Sequence, residues 1–235
     1  MSNDTTHTPP PAAAPAVAQP SSLRMVFTMA GLGLFCGILI VLTFQLTLPT
    51  IKMNKARALE KAIFEVVPAA STKTTFKLAG NRLEPLAGED ETAIKYYAGY
   101  DEDGRLVGIA LEAAGQGFQD IVSILYGYSP ECNCVIGMTV LASKETPGLG
   151  TKIETDPDFV ANFEALSAEL TADGKRIAHP ITLVKPGEKS NAWEIEAITG
   201  ATISSRAIAD ILEKSTAERV PVIERNLDVL EGGER

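Results

Sequence analysis

A strand end, a tight turn and a helix start follow one another in the stretch Glu196-Ala197-Ile198-Thr199-Gly200-Ala201-Thr202. Gly200 lets the backbone of this turn approach a bound group closely, and Ala201 keeps the turn uncrowded. The N-terminus of a helix presents free backbone N–H groups and a partial positive charge, which suit a phosphate. We therefore expect the Thr202 hydroxyl to lie where a phosphoryl group would face those donors, although an ordinary capped turn has the same pattern.

Strands and helices are predicted in separate parts of the chain, which is typical of an α+β fold. Alternating apolar residues and turn signals predict strands at residues 96–100, 105–112, 121–126, 135–142, 181–184 and 193–198.

Helices are predicted mainly in the C-terminal third. Asp156 and Pro157 favour a helix start, and the helix that follows is expected to have an apolar face formed by Phe159, Phe163, Leu166 and Leu170. Ser204 or Ser205 is expected to cap the next helix, and a last helix is expected to end near Leu230.

One apolar segment near the N-terminus, residues 25–48, predicts a transmembrane helix. It contains no charged residue, and at about 1.5 Å per residue it is long enough to cross a hydrocarbon core of about 30 Å. A cleaved signal peptide has a shorter apolar region, and no small-residue cleavage site follows Leu48. Residues 1–24, rich in Pro, Ala, Ser and Thr, are predicted to be a disordered tail.

The remainder of the chain is predicted to form a stalk and one domain. Residues 49–68 have the apolar spacing of an amphipathic stalk helix, which Pro68 ends. Residues 69–235 are expected to form the α+β domain, and residues 69–92 within it are expected to be polar and irregular, with a few weak strand signals.

Composition excludes several classes of function. The formal net charge of −9 lies entirely on residues 51–235, which argues against a nucleic-acid partner. Two histidines and three cysteines are too few for an ordinary His/Cys metal centre, so no metal site is expected. No arrangement of nucleophile, histidine and acid can be argued, so we expect no independent catalytic site.

Cys132-Asn133-Cys134 lies between two predicted strands. The pair supplies too few ligands for a metal, and a disulfide between residues two apart would be strained. We therefore expect two free thiols in a hairpin loop, and a redox role has no support from the sequence.

Two further glycine-containing segments are candidates for a binding site. The stretch Lys144-Glu145-Thr146-Pro147-Gly148-Leu149-Gly150 predicts a tight loop that aims Glu145 and Thr146 at a ring or a phosphate. The stretch Gly115-Gln116-Gly117-Phe118 predicts either a backbone wall or a β-bulge.

These motifs resemble the FMN-binding domain shared by the G subunit of the Rnf complex and the C subunit of the sodium-pumping NADH:quinone reductase. In that family an acidic residue, two variable residues, Ser/Thr, Gly, Ala and Thr form the target of a flavin transferase, which attaches FMN through its phosphate to the final Thr. The resemblance implies that Thr202 carries covalent FMN, with Thr199, Gly200 and Ala201 completing the motif. Glu196 stands where the family usually has Asp.

The loop motif is closer to that of the Rnf G subunit. The resemblance implies that residues of this loop and of the weaker glycine motif contact the flavin: Glu145, Thr146, Gly148, Leu149 and Gly117.

The function that the resemblance implies is a membrane-anchored flavoprotein subunit of an ion-translocating ferredoxin:NAD⁺ oxidoreductase, relaying electrons through FMN. Its expected partners are the membrane, the other membrane and peripheral subunits of the complex, and a flavin transferase during maturation. Two alternatives stay open: the C subunit of a sodium-translocating NADH:quinone reductase, and a non-redox membrane-anchored assembly module.

Topology receives opposite predictions. Lys52, Lys55, Arg57 and Lys61 follow the apolar segment, and the positive-inside rule would place the large domain in the cytoplasm. The resemblance implies a single-pass protein of the bacterial inner membrane with the FMN domain in the periplasm, and we expect this second arrangement.

Overall fold

The computed structural model describes residues 21–86, 88 and 93–232. Most of the predicted N-terminal tail, residues 1–20, lies outside the described residues. The chain forms two compact units, Met1–Met53 and Asn54–Arg235.

The helix α1 spans Ser22–Val66 and includes the whole apolar segment 25–48. Within the described residues, it is the one helix whose length and composition would allow it to cross a membrane. The hydroxyls of Thr28 and Thr47 donate hydrogen bonds to the carbonyl oxygens of Arg24 and Thr43, at 2.7 and 2.8 Å. These bonds satisfy polar groups that hydrocarbon could not solvate.

The second unit is built on a seven-stranded antiparallel sheet with the strand order β2-β1-β3-β4-β5-β6-β7. In chain order the strands are β1 Thr72–Ala79, β2 Arg82–Pro85, β3 Lys95–Tyr100, β4 Leu106–Gln116, β5 Ile121–Ser129, β6 Cys134–Ala142 and β7 Leu166–Ser167. Two shorter strands, β8 Thr182–Val184 and β9 Glu194–Glu196, form a separate parallel pair.

The expectation of an irregular segment at residues 69–92 is wrong, because this segment contains β1 and β2. The two strands lie at one edge of the sheet, and each buries one side chain fully, Phe76 and Leu83 respectively. A strand with so little buried surface has a mostly polar sequence, so alternation gives little signal.

In the described part of the chain, four α-helices follow α1: α2 Lys152–Thr155, α3 Pro157–Val160, α4 Thr202–Arg225 and α5 Leu227–Glu231. Asp156 caps α3 as predicted, its side chain accepting a hydrogen bond from the backbone N–H of Phe159 at 3.3 Å. The prediction that one long helix follows is wrong. The helix α3 ends at Val160, and Leu166 pairs with Val135 at the edge of the sheet. Pairing with β6 therefore overrides the helical spacing of the apolar residues.

The expectation of free thiols is also wrong, because Cys132 and Cys134 form a disulfide at the turn between β5 and β6. Asn133 between them has a φ of 51°, a left-handed conformation that Asn tolerates better than most residues. This curled backbone brings the two Cα atoms to 5.2 Å, which is within the usual range for a disulfide.

The sheet packs against α4 on one face. Ile208, Ile211 and Leu212 of α4 belong to the same buried cluster as Tyr96 and Tyr126 of the strands. The Tyr126 hydroxyl is hydrogen-bonded to the hydroxyl of Ser215, at 2.8 Å, so this buried polar group has a partner.

Four glycines line the other face where the C-terminal end of α1 packs: Gly99, Gly108, Gly127 and Gly137. A Cβ atom at Gly127 would overlap the carbonyl oxygen of Val66, and one at Gly137 would lie 3.0 Å from the Val66 Cα. Backbone therefore packs directly on backbone at this place, and a side chain on either strand would push the helix end away.

We predict that Gly127→Ala lowers the free energy of unfolding by about 1–3 kcal/mol, because the added methyl group overpacks this contact. The measurement is chemical denaturation of the full chain in detergent, followed by circular dichroism. Ala142→Val is the control, since it enlarges an exposed residue of β6 in the same sheet. Equal stability of the two variants would show that the helix end is not seated against Gly127.

Candidate functional site

The turn between β9 and α4 has the geometry that the sequence predicts. Gly200 has a φ of +84°, which a side chain would disfavour, and the backbone N–H of Ala201 donates to the Ile198 carbonyl at 3.1 Å. The helix then begins at Thr202, whose side chain is exposed. Thr202 therefore presents its hydroxyl to solvent at the first turn of a long helix.

The expected serine cap is wrong, because α4 begins three or four residues earlier than a cap at Ser204 or Ser205 would allow, and Ala201 occupies the capping position. Ser205 instead bridges the turn: its hydroxyl accepts from the Ile198 N–H at 3.1 Å and donates to the Ala201 carbonyl at 3.0 Å. No described residue accepts a hydrogen bond from the backbone N–H groups of Thr202, Ile203 and Ser204. Three donors at the positive end of the helix are therefore available to an anion.

Glu145 connects three separate segments of the chain. Its side chain is buried, with 3% exposed. One carboxylate oxygen, Oε1, accepts from the backbone N–H groups of Phe118 and Gln119 at 2.8 and 3.1 Å. The other, Oε2, accepts from the hydroxyl of Ser204 on α4. A single buried carboxylate thus joins its own loop to the β4–β5 turn and to the start of α4.

Two glycines leave room for this carboxylate. A Cβ atom at Gly117 would lie 2.5 Å from Glu145 Oε1, and one at Gly150 would lie 2.7 Å from Glu145 Cβ and 3.0 Å from Ser204 Oγ. Of the two alternatives for residues 115–118, the β-bulge is wrong, because β4 pairs with β5 without a register shift up to Gln116. Of this segment, Phe118 forms one wall of the cleft described below, and Gly117 lies against Glu145.

The loop after β6 is tied to the same wall. The Thr146 hydroxyl accepts from the Gln119 side-chain amide at 3.1 Å, and the Thr146 carbonyl accepts from the Leu149 N–H at 3.2 Å. Gly148 has a φ of +76°, and its N–H donates to the Thr151 hydroxyl at 3.0 Å. These bonds turn the loop so that Leu149 points into solvent.

The three segments enclose a cleft of about 330 Å³ beside Thr202. Three large apolar side chains around it are more than half exposed: Phe118 at 58%, Ile203 at 57% and Leu149 at 52%. Apolar side chains clustered on a surface mark a binding site more often than isolated ones do. The cleft therefore combines apolar walls with unpaired backbone donors.

Six of the nine predicted site residues line this cleft: Glu145, Thr146, Leu149, Gly200, Ala201 and Thr202. Gly117 lies behind it against Glu145, and Gly148 shapes the loop. Thr199 lines a different cleft, of about 520 Å³, together with Glu196 and Lys152.

Four residues that line the cleft are not among the predicted site residues: Phe118 and Gly150, which belong to the quoted motifs, and Ile203 and Ser204. An apolar residue at an exposed helix start was a usable signal for Ile203. The partnership of Ser204 with Glu145 joins positions 59 residues apart, and no local pattern predicts it.

Known proteins with similar sequences cover the part of the chain that forms the cleft. A family profile described as FMN-binding domain matches residues 117–217. The chain is 28% identical to the G subunit of the ion-translocating oxidoreductase complex of Methanosarcina acetivorans over 197 residues, covering 82% of this chain and 91% of that protein. It is 29% identical to the G subunit of the Na(+)-translocating ferredoxin:NAD(+) oxidoreductase complex of Acetobacterium woodii over 166 residues, covering 70% and 71%.

Two solved structures share the fold. NqrC of Shewanella oneidensis aligns with a TM-score of 0.61 at 17% identity, covering 77% of this chain and all of that structure. The C subunit of the Na(+)-translocating NADH-quinone reductase from Parabacteroides distasonis aligns with a TM-score of 0.56 at 17% identity, covering 78% and 97%. The predicted α+β fold is confirmed.

We predict that Glu145→Ala destabilises the cofactor-free protein by about 2 kcal/mol, because two buried backbone N–H groups lose their acceptor. Amide hydrogen exchange at Phe118 and Gln119 should also become faster. Glu154→Ala is the control, since Glu154 is exposed on α2. If Glu145→Ala matches this control in both measurements, the carboxylate does not hold the three segments together.

Proposed function

We propose that this chain is the electron-transfer subunit of an ion-translocating oxidoreductase complex. The proposal proceeds from the premise that the chain belongs to the FMN-binding family, which includes the G subunits of such complexes. The finer proposal is a ferredoxin:NAD⁺ oxidoreductase with FMN attached covalently to Thr202. The observation that carries it is the position of Thr202, at the mouth of an apolar cleft and at a helix start with unpaired N–H donors.

The residues of the cleft suit the two chemically different parts of FMN. The flavin ring is flat and largely apolar, which matches the exposed side chains of Phe118, Leu149 and Ile203. The phosphate is anionic, which matches the N–H groups of Thr202 and its two successors. Bound FMN would supply the electron-transfer chemistry that the side chains lack.

The chain itself would provide attachment and orientation. In the proposed maturation step, a flavin transferase moves FMN from FAD to the Thr202 oxygen, the hydroxyl loses its proton, and AMP leaves. The buried carboxylate of Glu145 would hold the walls in place before attachment, so little ordering would be needed when the cofactor arrives. Contacts of Thr146 and Gly148 with the flavin belong to the same proposal.

The two alternative functions have less support. The solved C subunits are 17% identical to this chain, so they support the fold and not the function. The sequence relatives described above are both named as G subunits. Exposed apolar side chains alone would also suit docking of a protein partner, but the unpaired N–H donors at the helix start beside them suit an anionic group such as the FMN phosphate.

We predict that Thr202→Ala abolishes covalent flavin, because no other hydroxyl occupies the first position of α4. The protein is co-expressed with a flavin transferase, denatured in acid, and examined for fluorescence on a gel and for the mass of the peptide containing Thr202. Thr202→Ser should keep part of the label, since it keeps a hydroxyl. Thr199→Ala is the matched control. It changes the motif that the transferase recognises but leaves the Thr202 hydroxyl, and Thr199 itself lines the other cleft, so flavin occupancy should fall without being lost. An unmodified wild-type peptide would rule out the covalent proposal.

Membrane anchoring by α1 is part of the same proposal, with the domain facing the periplasm of a bacterial inner membrane. The flanking lysines and arginine oppose this orientation, but the charge rule is statistical, and other members of a complex can hold a chain against it. The transferase would then act after export.

We predict that alkaline phosphatase fused to the C-terminus is active and that green fluorescent protein fused there is dark. Alkaline phosphatase needs an oxidising compartment for its disulfides. Green fluorescent protein stays dark when it crosses the membrane unfolded, because it has to fold before export to become fluorescent. The opposite pattern would place the domain in the cytoplasm and would show that Lys52, Lys55, Arg57 and Lys61 set the orientation.

A further inference from the structure

The disulfide between Cys132 and Cys134 is asymmetric in its exposure. Cys132 is exposed at the turn between β5 and β6, whereas Cys134 begins β6 and is 7% exposed. Cys132 is therefore the side of the disulfide that is more open to a thiolate approaching from solvent.

This disulfide lies far from the proposed flavin site. The cleft is at the end of the sheet where Gln116 pairs with Ile121, and the disulfide is at the end where Ser129 pairs with Cys134. Eight residue steps of about 3.3 Å along β5 separate these ends by about 26 Å. The disulfide is thus not part of the cofactor site.

A role as a structural staple explains the disulfide poorly. It joins residues two apart, and so short a loop constrains the unfolded chain little. Other bonds already hold the turn: the Ala168 N–H donates to the Asn133 carbonyl at 2.9 Å, and the Tyr128 hydroxyl donates to Asn133 Oδ1 at 3.1 Å. The turn therefore keeps its supports when the sulfur–sulfur bond is open.

We propose that Cys132 and Cys134 form a thiol–disulfide exchange site whose substrate is a dithiol of another protein. The site gives the chain a second redox-active group that operates without FMN. The experiments below measure the oxidation state of the two cysteines and not the flavin. A negative result for the exchange site would therefore leave the proposed flavin function untouched, and the reverse also holds.

The exchange balances in two steps. A thiolate of the partner attacks Cys132 Sγ, the bond to Cys134 breaks, and the electron pair leaves on Cys134 Sγ, which takes up a proton. The partner's second thiolate then attacks the partner's own sulfur in the mixed disulfide, and Cys132 leaves as a thiolate and is protonated. The partner loses two electrons and two protons, and this chain gains them as two thiols.

The same geometry favours closing the bond again. Asn133 is held from two sides, so the cysteines on either side stay near the 5.2 Å Cα separation of the oxidised form. Reduction and oxidation can therefore alternate on a turn that stays folded.

The first test uses the full chain in detergent with Cys36→Ser, so that Cys132 and Cys134 are the only thiols counted. Dithiothreitol is the dithiol probe, N-ethylmaleimide traps free thiols, and intact mass gives the reduced fraction over time. We expect reduction well before global unfolding, an unchanged circular dichroism spectrum, and reoxidation by glutathione disulfide. Reduction that occurs only as the domain unfolds would overturn the proposal.

The second test asks which sulfur reacts. Both variants carry Cys36→Ser. In Cys134→Ser the remaining Cys132 should form a mixed disulfide with glutathione disulfide about tenfold faster than Cys134 does in Cys132→Ser, because Cys134 is buried. Equal rates, or a faster reaction at Cys134, would contradict the assignment of Cys132 as the attacked sulfur. Apoprotein made without a flavin transferase should give the same rates, and a dependence on flavin would count against an independent site.

Discussion

The buried carboxylate of Glu145 is the interaction on which the site depends. A carboxylate removed from water is costly unless hydrogen bonds replace its hydration, and here two backbone N–H groups and the Ser204 hydroxyl do so. The donors come from segments about 27 and 59 residues away along the chain. The need to satisfy one charge therefore fixes the β4–β5 turn, the loop after β6 and the start of α4 relative to one another.

This constraint also explains why three glycine-containing motifs occur together. Gly117 and Gly150 are small because a Cβ atom would enter the space of the Glu145 side chain, whereas Gly200 is needed for its left-handed backbone. The motifs look like independent signals in the sequence. In the structure two of them serve one hydrogen-bond network, and the third aims the helix N-terminus at the cleft that this network forms.

The sequence predicts the parts of the fold that have a strong local signal. The strands β3 to β6 are apolar runs bounded by turn signals, Gly200 marks a turn, and the uncharged segment 25–48 marks a long helix. Strands β1 and β2 have only weak local signals. The early end of α3 and the Ser204–Glu145 bond are set by distant partners and leave no local pattern. The Cys132–Cys134 disulfide is not predicted from spacing because it depends on the left-handed conformation of Asn133, which brings the two cysteines together.

The side chains of Phe118, Leu149 and Ile203 expose apolar surface to water. Covering this surface would lower the free energy of the domain. They stay exposed because hydrogen-bonded backbone holds each of their segments, so none can fold inward over the cleft. Strand β5 adds to this rigidity: it follows directly after the turn that carries Phe118, and Gly127 near its end packs against the backbone of Val66. A cleft kept open by a rigid scaffold binds a flat ring with little further ordering, which is the arrangement expected of a cofactor site.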